Sequence, residues 1–223
     1  MERTSERCET VSVPYIVDGL RIPIGKFGRS LRHEHPAELG AYVVRKLIEK
    51  YDIPRDEIDL LVFGHVIRAG QGMDTARQIV IRSSLPKQID GMTVDMVCAS
   101  GMAAIITAHQ MIKAGDAHLI IAGGVESMST APFLMPETTR WGIRHLIGRR
   151  AEIRDAMVYD GLWDIFENRI MGEEADLVAK DRGATREELD WIAYESHMRA
   201  ARAWTREPWN AMSSHTRKTV KHS

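Results

Sequence analysis

Residues 94–104 read VDMVCASGMAA. The run into Cys98 is apolar and β-branched, as a buried strand is, and the residues after it are small and helix-compatible. The pattern predicts a strand over Met92 to Val97, a helix over Ala99 to Lys113, and Cys98 at their junction. A thiolate at a helix start is stabilised by backbone N–H groups and the helix dipole. The same N–H groups can stabilise an oxyanion. The small neighbours Ala99, Ser100 and Gly101 leave room for a bulky acyl group. The competing reading is a buried cysteine acting as a small hydrophobe. Spacing alone leaves both open.

Working outward, strand and helix patterns alternate. Ser12 to Asp18 is β-branched and aromatic, then broken by Gly19. His35-Pro36 opens a helix with proline in the first turn. Leu39, Tyr42, Val43, Leu47 and Ile48 follow its spacing, and Pro54 closes it. Asp59 to Phe63 reads as a buried strand, and Asp74 to Ser84 as a helix. Beyond the Cys98 junction, Ala103, Ile106 and Gln110 mark one side of the next helix, and Gly115 ends it. His118 to Ala122 is a further apolar strand. Such alternation predicts an α/β fold, a mostly parallel sheet with crossover helices.

From Ser127 the pattern changes to scattered Met, Pro and Trp with an arginine-rich run, and a mainly helical insert is expected. Thr185 to Ala203 is its clearest helix. Thr185 and Glu188 have capping-box spacing, and Leu189, Ile192, Ala193 and Ser196 make one face. The expected divisions are 11–126 for a core, 127–203 for the insert and 204–223 for a divergent tail. No internal repeat or low-complexity tract occurs.

The 223 residues are 44% hydrophobic and 27% charged, with 30 Lys+Arg against 31 Asp+Glu. This is an ordinary globular composition, and the near-zero net charge creates no field favouring nucleic acid or an anionic membrane. Two cysteines, Cys8 and Cys98, make no disulfide framework. No apolar run is long enough to span a bilayer, and Met1 to Thr10 lacks the apolar core of a secretory signal. These features predict a soluble, cytoplasmic protein with no membrane and no nucleic-acid partner.

Other motifs are weaker. Gly25-Lys26-Phe27-Gly28 fails the phosphate-loop pattern, and Gly70-Gln71-Gly72 lacks the third glycine of a dinucleotide fingerprint. Gly123-Gly124 follows a strand and suits a tight turn or a close backbone approach. His33-Glu34-His35 lacks a third ligand, so no metal is expected. Met128 to Met135 reads as core or interface. Arg149, Arg150 and Arg154 read as a solvated face or a contact for a phosphorylated ligand.

In combination, five segments resemble the N-terminal part of the thiolases, the acetyl-CoA acetyltransferase and 3-ketoacyl-CoA thiolase family. They are RIPIGKFG (21–28), GHVIRAGQGMDTARQ (64–78), VDMVCASGMAA (94–104), AGGVESMS (122–129), and the pair Asp160-Gly161-Leu162 with Met171-Gly172. The resemblance covers about residues 11 to 203. It implies a five-stranded half-core with covering helices, a mixed βαβ-type sheet, and an inserted CoA-binding loop domain.

The resemblance also implies a chemistry. Cys98 takes the place of the acyl-accepting cysteine, and its own N–H becomes one oxyanion donor. Leu162 and Met171 become contacts to an acyl-CoA substrate. CoA and acyl-CoA are substrates, and no cofactor is implied. A 3-ketoacyl-CoA would be formed or cleaved through an acyl thioester on Cys98. The related ketoacyl synthases also carry a helix-start cysteine, but AGGVESMS and RIPIGKFG favour thiolase.

Two departures stand out. Ile170 occupies the position where the family usually has histidine before Met-Gly. The family's activating histidine, second cysteine and oxyanion asparagine belong to its C-terminal half, which is expected to be absent, so activity is expected to be impaired. Either a homo-oligomer or a complementary half would cover the exposed face. A non-catalytic half that acts as a binding partner or split-enzyme subunit is the alternative expectation.

Overall fold

The structure is a computed structural model and describes residues 13–142 and 152–205. Cys8, Arg149, Arg150 and the tail beyond Thr205 lie outside the described residues. Contacts divide the chain into two units. One holds the residues up to Gly19 together with His35–Glu126, and the other holds Leu20–Glu34 and the residues from Ser127 onward.

The first unit runs α1 (Pro36–Tyr51), β1 (Leu60–Gly64), α2 (Thr75–Arg82), β2 (Asp90–Val94), α3 (Ser100–Ala114) and β3 (Ile120–Gly124). The three strands form one parallel sheet in the order β2-β1-β3. β1 is central and buried along its whole length, because parallel strands joined by crossover helices are covered on both faces. Leu61 and Phe63 pack with Ala37, Ala41, Val44 and Ile48 of α1 and with Ala76, Ile79 and Val80 of α2. Leu60 and Val62 turn the other way and pack with Ala104 of α3. Each fully buried Leu, Ile or Val contributes about 1.5–3 kcal/mol relative to exposure.

The α/β expectation holds, and its details shift. The first strand expected, Ser12 to Asp18, forms no ladder over its described residues. Val13, Tyr15, Ile16 and Val17 are 66–83% exposed, and extended backbone without a neighbouring strand gains no hydrogen bonds. The described residues thus carry three strands in the main sheet, not five. The segment is tethered through Asp18, whose carboxylate accepts from Lys50 Nζ and the Tyr51 hydroxyl.

α1 begins as the sequence predicts. Pro36 is its first residue, and His35 Nδ1 caps it by accepting from Ala37 N–H at 3.2 Å. It ends at Asp52, in the left-handed region at φ 48°, before Pro54 is reached. Its buried face is Ala37, Gly40, Ala41, Val44 and Ile48; of the bulkier stripe the spacing suggested, Ile48 is buried and Leu47 packs against the core, while Leu39, Tyr42 and Val43 are only half-buried. Close packing against α2 explains the change. A β-carbon on Gly40 would lie 2.5 Å from the Ile79 side chain, so only small residues fit at this contact.

The second unit contains more than helices. β4 (Phe133–Leu134) pairs antiparallel with β5 (Arg154–Asp155), and β6 (Trp163–Asp164) with β7 (Arg169–Ile170). Asp164 accepts from the N–H groups of Phe166 and Glu167, and Asn168 takes φ 55°. These side-chain and left-handed features make the β6–β7 turn, which apolar periodicity does not report. α4 (Ala156–Gly161), α5 (Met171–Asp181) and α6 (Arg186–Trp204) complete the unit. α6 has the predicted capping box between Thr185 and Glu188. Its expected apolar face is not buried: Ile192 is 65% exposed. Local terms support the helix instead, with i,i+4 pairs Arg186–Asp190 and Glu195–Arg199.

Candidate active site

β2 stops at Val94, three residues before the predicted end at Val97. Asp95, Met96 and Val97 leave the sheet and make a sharp elbow into α3. The elbow is built from short-range bonds. Asp95 Oδ1 accepts from Val97 N–H at 3.0 Å. Ser100 Oγ accepts from Met96 N–H at 2.8 Å and donates to the Val97 carbonyl at 2.6 Å. Ser100 is 4% exposed, and each of its two bonds contributes about 1 kcal/mol. Val97 sits at φ 49°. A β-branched residue there is strained by about 1–3 kcal/mol, which the surrounding bonds must hold.

Cys98 follows this strained residue and is exposed. The buried-hydrophobe reading therefore does not hold. α3 starts two residues later, at Ser100, with no side-chain cap on its leading N–H groups. The buried face of α3 is Ser100, Ala104 and Ala108. Ile106, on the side marked by Ala103 and Gln110, is 47% exposed.

Two glycines let α3 begin directly on the sheet. A β-carbon on Gly64, the last residue of β1, would lie 2.4 Å from the Ser100 carbonyl carbon. One on Gly124, the last residue of β3, would lie 3.2 Å from Gly101 Cα. Gly123 packs on the Phe63 ring at 3.1 Å from the same construction. Of the two roles expected for Gly123-Gly124, close backbone approach is the one realised.

The strand ends beneath the elbow carry a buried polar group the sequence did not single out. His65 follows β1 directly and is 1% exposed. Its Nδ1 lies 2.7 Å from Thr75 Oγ1, and its Nε2 lies 3.1 Å from Glu126 Oε1. The second contact is at ion-pair distance but off the line of a well-formed hydrogen bond. Glu126 Oε2 accepts from Val66 N–H at 3.1 Å. The available signal was a histidine and a glutamate placed just beyond two strand ends, inside GHVIRAGQGMDTARQ and AGGVESMS.

The rest of AGGVESMS is also accounted for. In the second unit, Ser127 Oγ donates to the Glu34 carbonyl at 3.0 Å, and Ser129 Oγ accepts from Gly28 N–H at 3.0 Å. Gly28 takes φ 68°, so the glycine of RIPIGKFG serves a left-handed turn, not a phosphate loop. Gly70 and Gly72 are likewise left-handed turn residues, at φ 70° and 87°.

Leu162 and Met171 belong to the second unit and meet there. Met171 N–H donates to the Leu162 carbonyl at 2.9 Å, placing the end of α4 beside the start of α5. Ile170 stands at the N-cap of α5 and gives no side-chain cap. A branched hydrocarbon has no acceptor to offer that helix start. Cys98 belongs to the first unit.

His35 is occupied as a helix cap, and His33 Nε2 accepts from Arg32 Nε at 2.8 Å. Among the described residues no group of three side chains could hold a metal ion. Arg154 pairs with Glu152 at 3.0 Å and stacks 4.2 Å over the Tyr159 ring. Met128 and Met135, read as core or interface, are 36% and 60% exposed. No helix among the described residues is long and apolar enough to cross a membrane.

A parallel α/β half-sheet presenting a cysteine at a strand-to-helix elbow defines the class of site. The family described as thiolase, N-terminal domain, matches residues 14–215, and the chain belongs to that family. It is 40% identical over 189 residues to the acetyl-CoA acetyltransferase of Synechocystis sp., covering 85% of this chain and 48% of the relative. It is 40% identical over 188 residues to that of Syntrophomonas wolfei, covering 84% and 47%. A thiolase from Ascaris suum, solved in complex with coenzyme A, superposes with TM-score 0.78 at 36% identity, covering 87% of this chain and 49% of that one. An acetyl-CoA acetyltransferase from Bacillus anthracis superposes with TM-score 0.80 at 33% identity, covering 87% and 48%. The family is one of acyltransferases, and the chain spans about half the length of the curated relatives it matches.

Proposed function

We propose that Cys98 is the acyl-accepting nucleophile of a thiolase-type acyltransferase acting on acyl-CoA. The observation that carries this reading is an exposed cysteine on a strained elbow, ahead of an uncapped helix start. The Cys98 thiolate attacks the thioester carbonyl, the C–S bond to CoA breaks, and CoA leaves as its thiolate. The acyl group is then passed to acetyl-CoA: its α C–H bond breaks, the proton finally balancing the released CoA thiolate, the new C–C bond forms, and the bond from the acyl carbon to Cys98 breaks to free the thiolate. In reverse, CoA cleaves a 3-ketoacyl-CoA. Splitting the transfer into two steps lowers each barrier, and the N–H of Cys98 is one oxyanion donor. Leu162 and Met171 contact the acyl-CoA. Residues 11–126 act as the catalytic half-core, 127–203 as the loop domain that receives CoA, and 204–223 as a divergent tail. CoA and acyl-CoA are substrates; no resident cofactor is part of this reading, and fatty-acyl metabolism in the cytoplasm is its setting.

Incubation with acetyl-CoA followed by peptide mass spectrometry tests this. One acetyl group is expected on Cys98 and none in Cys98→Ser. Acetylation spread over lysines with Cys98 unmodified would reject it. These 223 residues alone are expected to capture an acyl group without sustained thiolysis of acetoacetyl-CoA, because they span about half the length of the curated acetyl-CoA acetyltransferases and the elbow's carboxylate, Asp95, is engaged by Val97 N–H.

A second reading rests on Met102, Ile105 and Ile106 of α3, which are 40–60% exposed. That apolar face suits association with a complementary thiolase half or a second copy. In this reading the chain is a non-catalytic subunit. Light scattering at micromolar concentration tests it, and a monodisperse monomer would count against it.

A further inference from the structure

We propose that Glu126 and His65 form a positioning clamp that holds the Cys98 elbow in register with the sheet. This rests on the reading of Cys98 as nucleophile, but its test does not depend on acyl transfer. The connectivity Thr75–His65–Glu126 is that of a hydroxyl–imidazole–carboxylate triad. A nucleophilic role for Thr75 fails on access, since Thr75 and His65 are each 1% exposed. What the arrangement does is tie strand ends together.

Five connections make the clamp. His65 N–H donates to the Val94 carbonyl at 3.1 Å, joining the end of β1 to the last residue of β2. Val125 N–H donates to the Gly64 carbonyl at 3.0 Å, joining β1 to the residue after β3. Glu126 Oε2 takes the Val66 N–H, and Glu126 Oε1 faces His65 Nε2. The imidazole reaches on to Thr75, the first residue of α2.

The elbow starts where these ties end. Val94 is four residues before Cys98, and Gly64 touches the backbone of Ser100 and Gly101. A strained Val97 keeps its conformation only while its surroundings over-determine it. Among the described residues Glu126 is the acidic side chain joined to both His65 and Val66, so it couples the strand ends that define where Cys98 points.

The test compares Glu126→Ala, Glu126→Gln and a control, Val44→Ala, in the α1 core. Glutamine keeps an oxygen for Val66 N–H; alanine keeps nothing. Amide hydrogen exchange is read at Met96 to Ser100 under conditions where Glu126→Ala and the control have equal global stability. Exchange there is expected to be at least tenfold faster in Glu126→Ala than in the control, with Glu126→Gln closer to wild type. Acetyl capture at Cys98, which needs geometry, should fall at least tenfold in Glu126→Ala, while alkylation by iodoacetamide, which needs only access, should not fall. Equal exchange in Glu126→Ala and Val44→Ala would overturn the proposal. If wild type takes no acetyl group, the nucleophile reading fails, and exchange still decides the clamp. Should Glu126→Ala not fold, His65→Gln carries the same comparison. Failure of both to fold would make the pair a folding element and overturn the positioning role.

Discussion

Gly64 and Ser100 approach so closely that a β-carbon on Gly64 would lie 2.4 Å from the Ser100 carbonyl carbon. The contact is backbone on backbone, so no side chain can swing away. Gly64→Ala is expected to push α3 off the sheet and cost about 1–3 kcal/mol, the usual scale of overpacking. Gly101→Ala, whose new methyl meets nothing within 4 Å, is expected to gain up to about 1 kcal/mol from helix propensity. Urea unfolding of both variants checks the contrast, and a neutral Gly64→Ala would refute it.

Asp59 makes an acid-sensitive contribution next to the sheet. Its carboxylate accepts from the backbone N–H of His118 at 2.6 Å and of Leu119 at 3.0 Å, just ahead of β3. The His118 and then the Leu119 bond hold its pKa below the ordinary carboxylate value. A depressed folded pKa stabilises above the unfolded value, about 3.9, and that stability is lost as pH falls through the folded one. Asp59→Asn should therefore cost about 1 kcal/mol at pH 6, a modest figure because the side chain is exposed and solvent-screened. The difference from wild type should shrink as the pH falls below about 4. Unfolding midpoints between pH 6 and 2.5 measure it; a pH-independent difference would contradict the argument.

Val97 offers a gain of stability. Glycine carries no penalty at φ 49°, whereas an L-residue there costs about 1–2 kcal/mol and glycine costs about 0.5–1 kcal/mol in unfolded-chain entropy. Val97 is 55% exposed, so little burial is lost. Val97→Gly is expected to be more stable than wild type by about 0.5–1 kcal/mol. A loss of more than about 1 kcal/mol would contradict the strain argument.

Cys98 should be the faster of the two thiols. It is exposed at a helix start, the kind of partly open position where reactive cysteines sit. Limiting iodoacetamide and mass spectrometry of the native protein should find Cys98 labelled ahead of Cys8. Equal labelling would remove the helix-start argument.

Much of the local architecture was legible in the sequence. Pro36 at a helix start, the Thr185–Glu188 capping box, the Gly115 helix stop and the cysteine between strand and helix all depend on residues within four positions of one another. At that range backbone geometry alone decides who meets whom. Tertiary structure decided the rest. The spacing of α1 and α3 marks them as helices but does not say which stripe faces inward. That choice fell to small residues, Gly40 and Ala41 in α1, Ala104 and Ala108 in α3, because neighbouring backbones come close. Ser12 to Asp18 has strand composition, yet over its described residues it pairs with no strand, since a strand exists only with a partner. Val66 and Glu126 are 60 positions apart. Only the parallel register that sets Gly64 beside Gly124 brings the residues after them together, and no periodicity within either segment encodes that meeting.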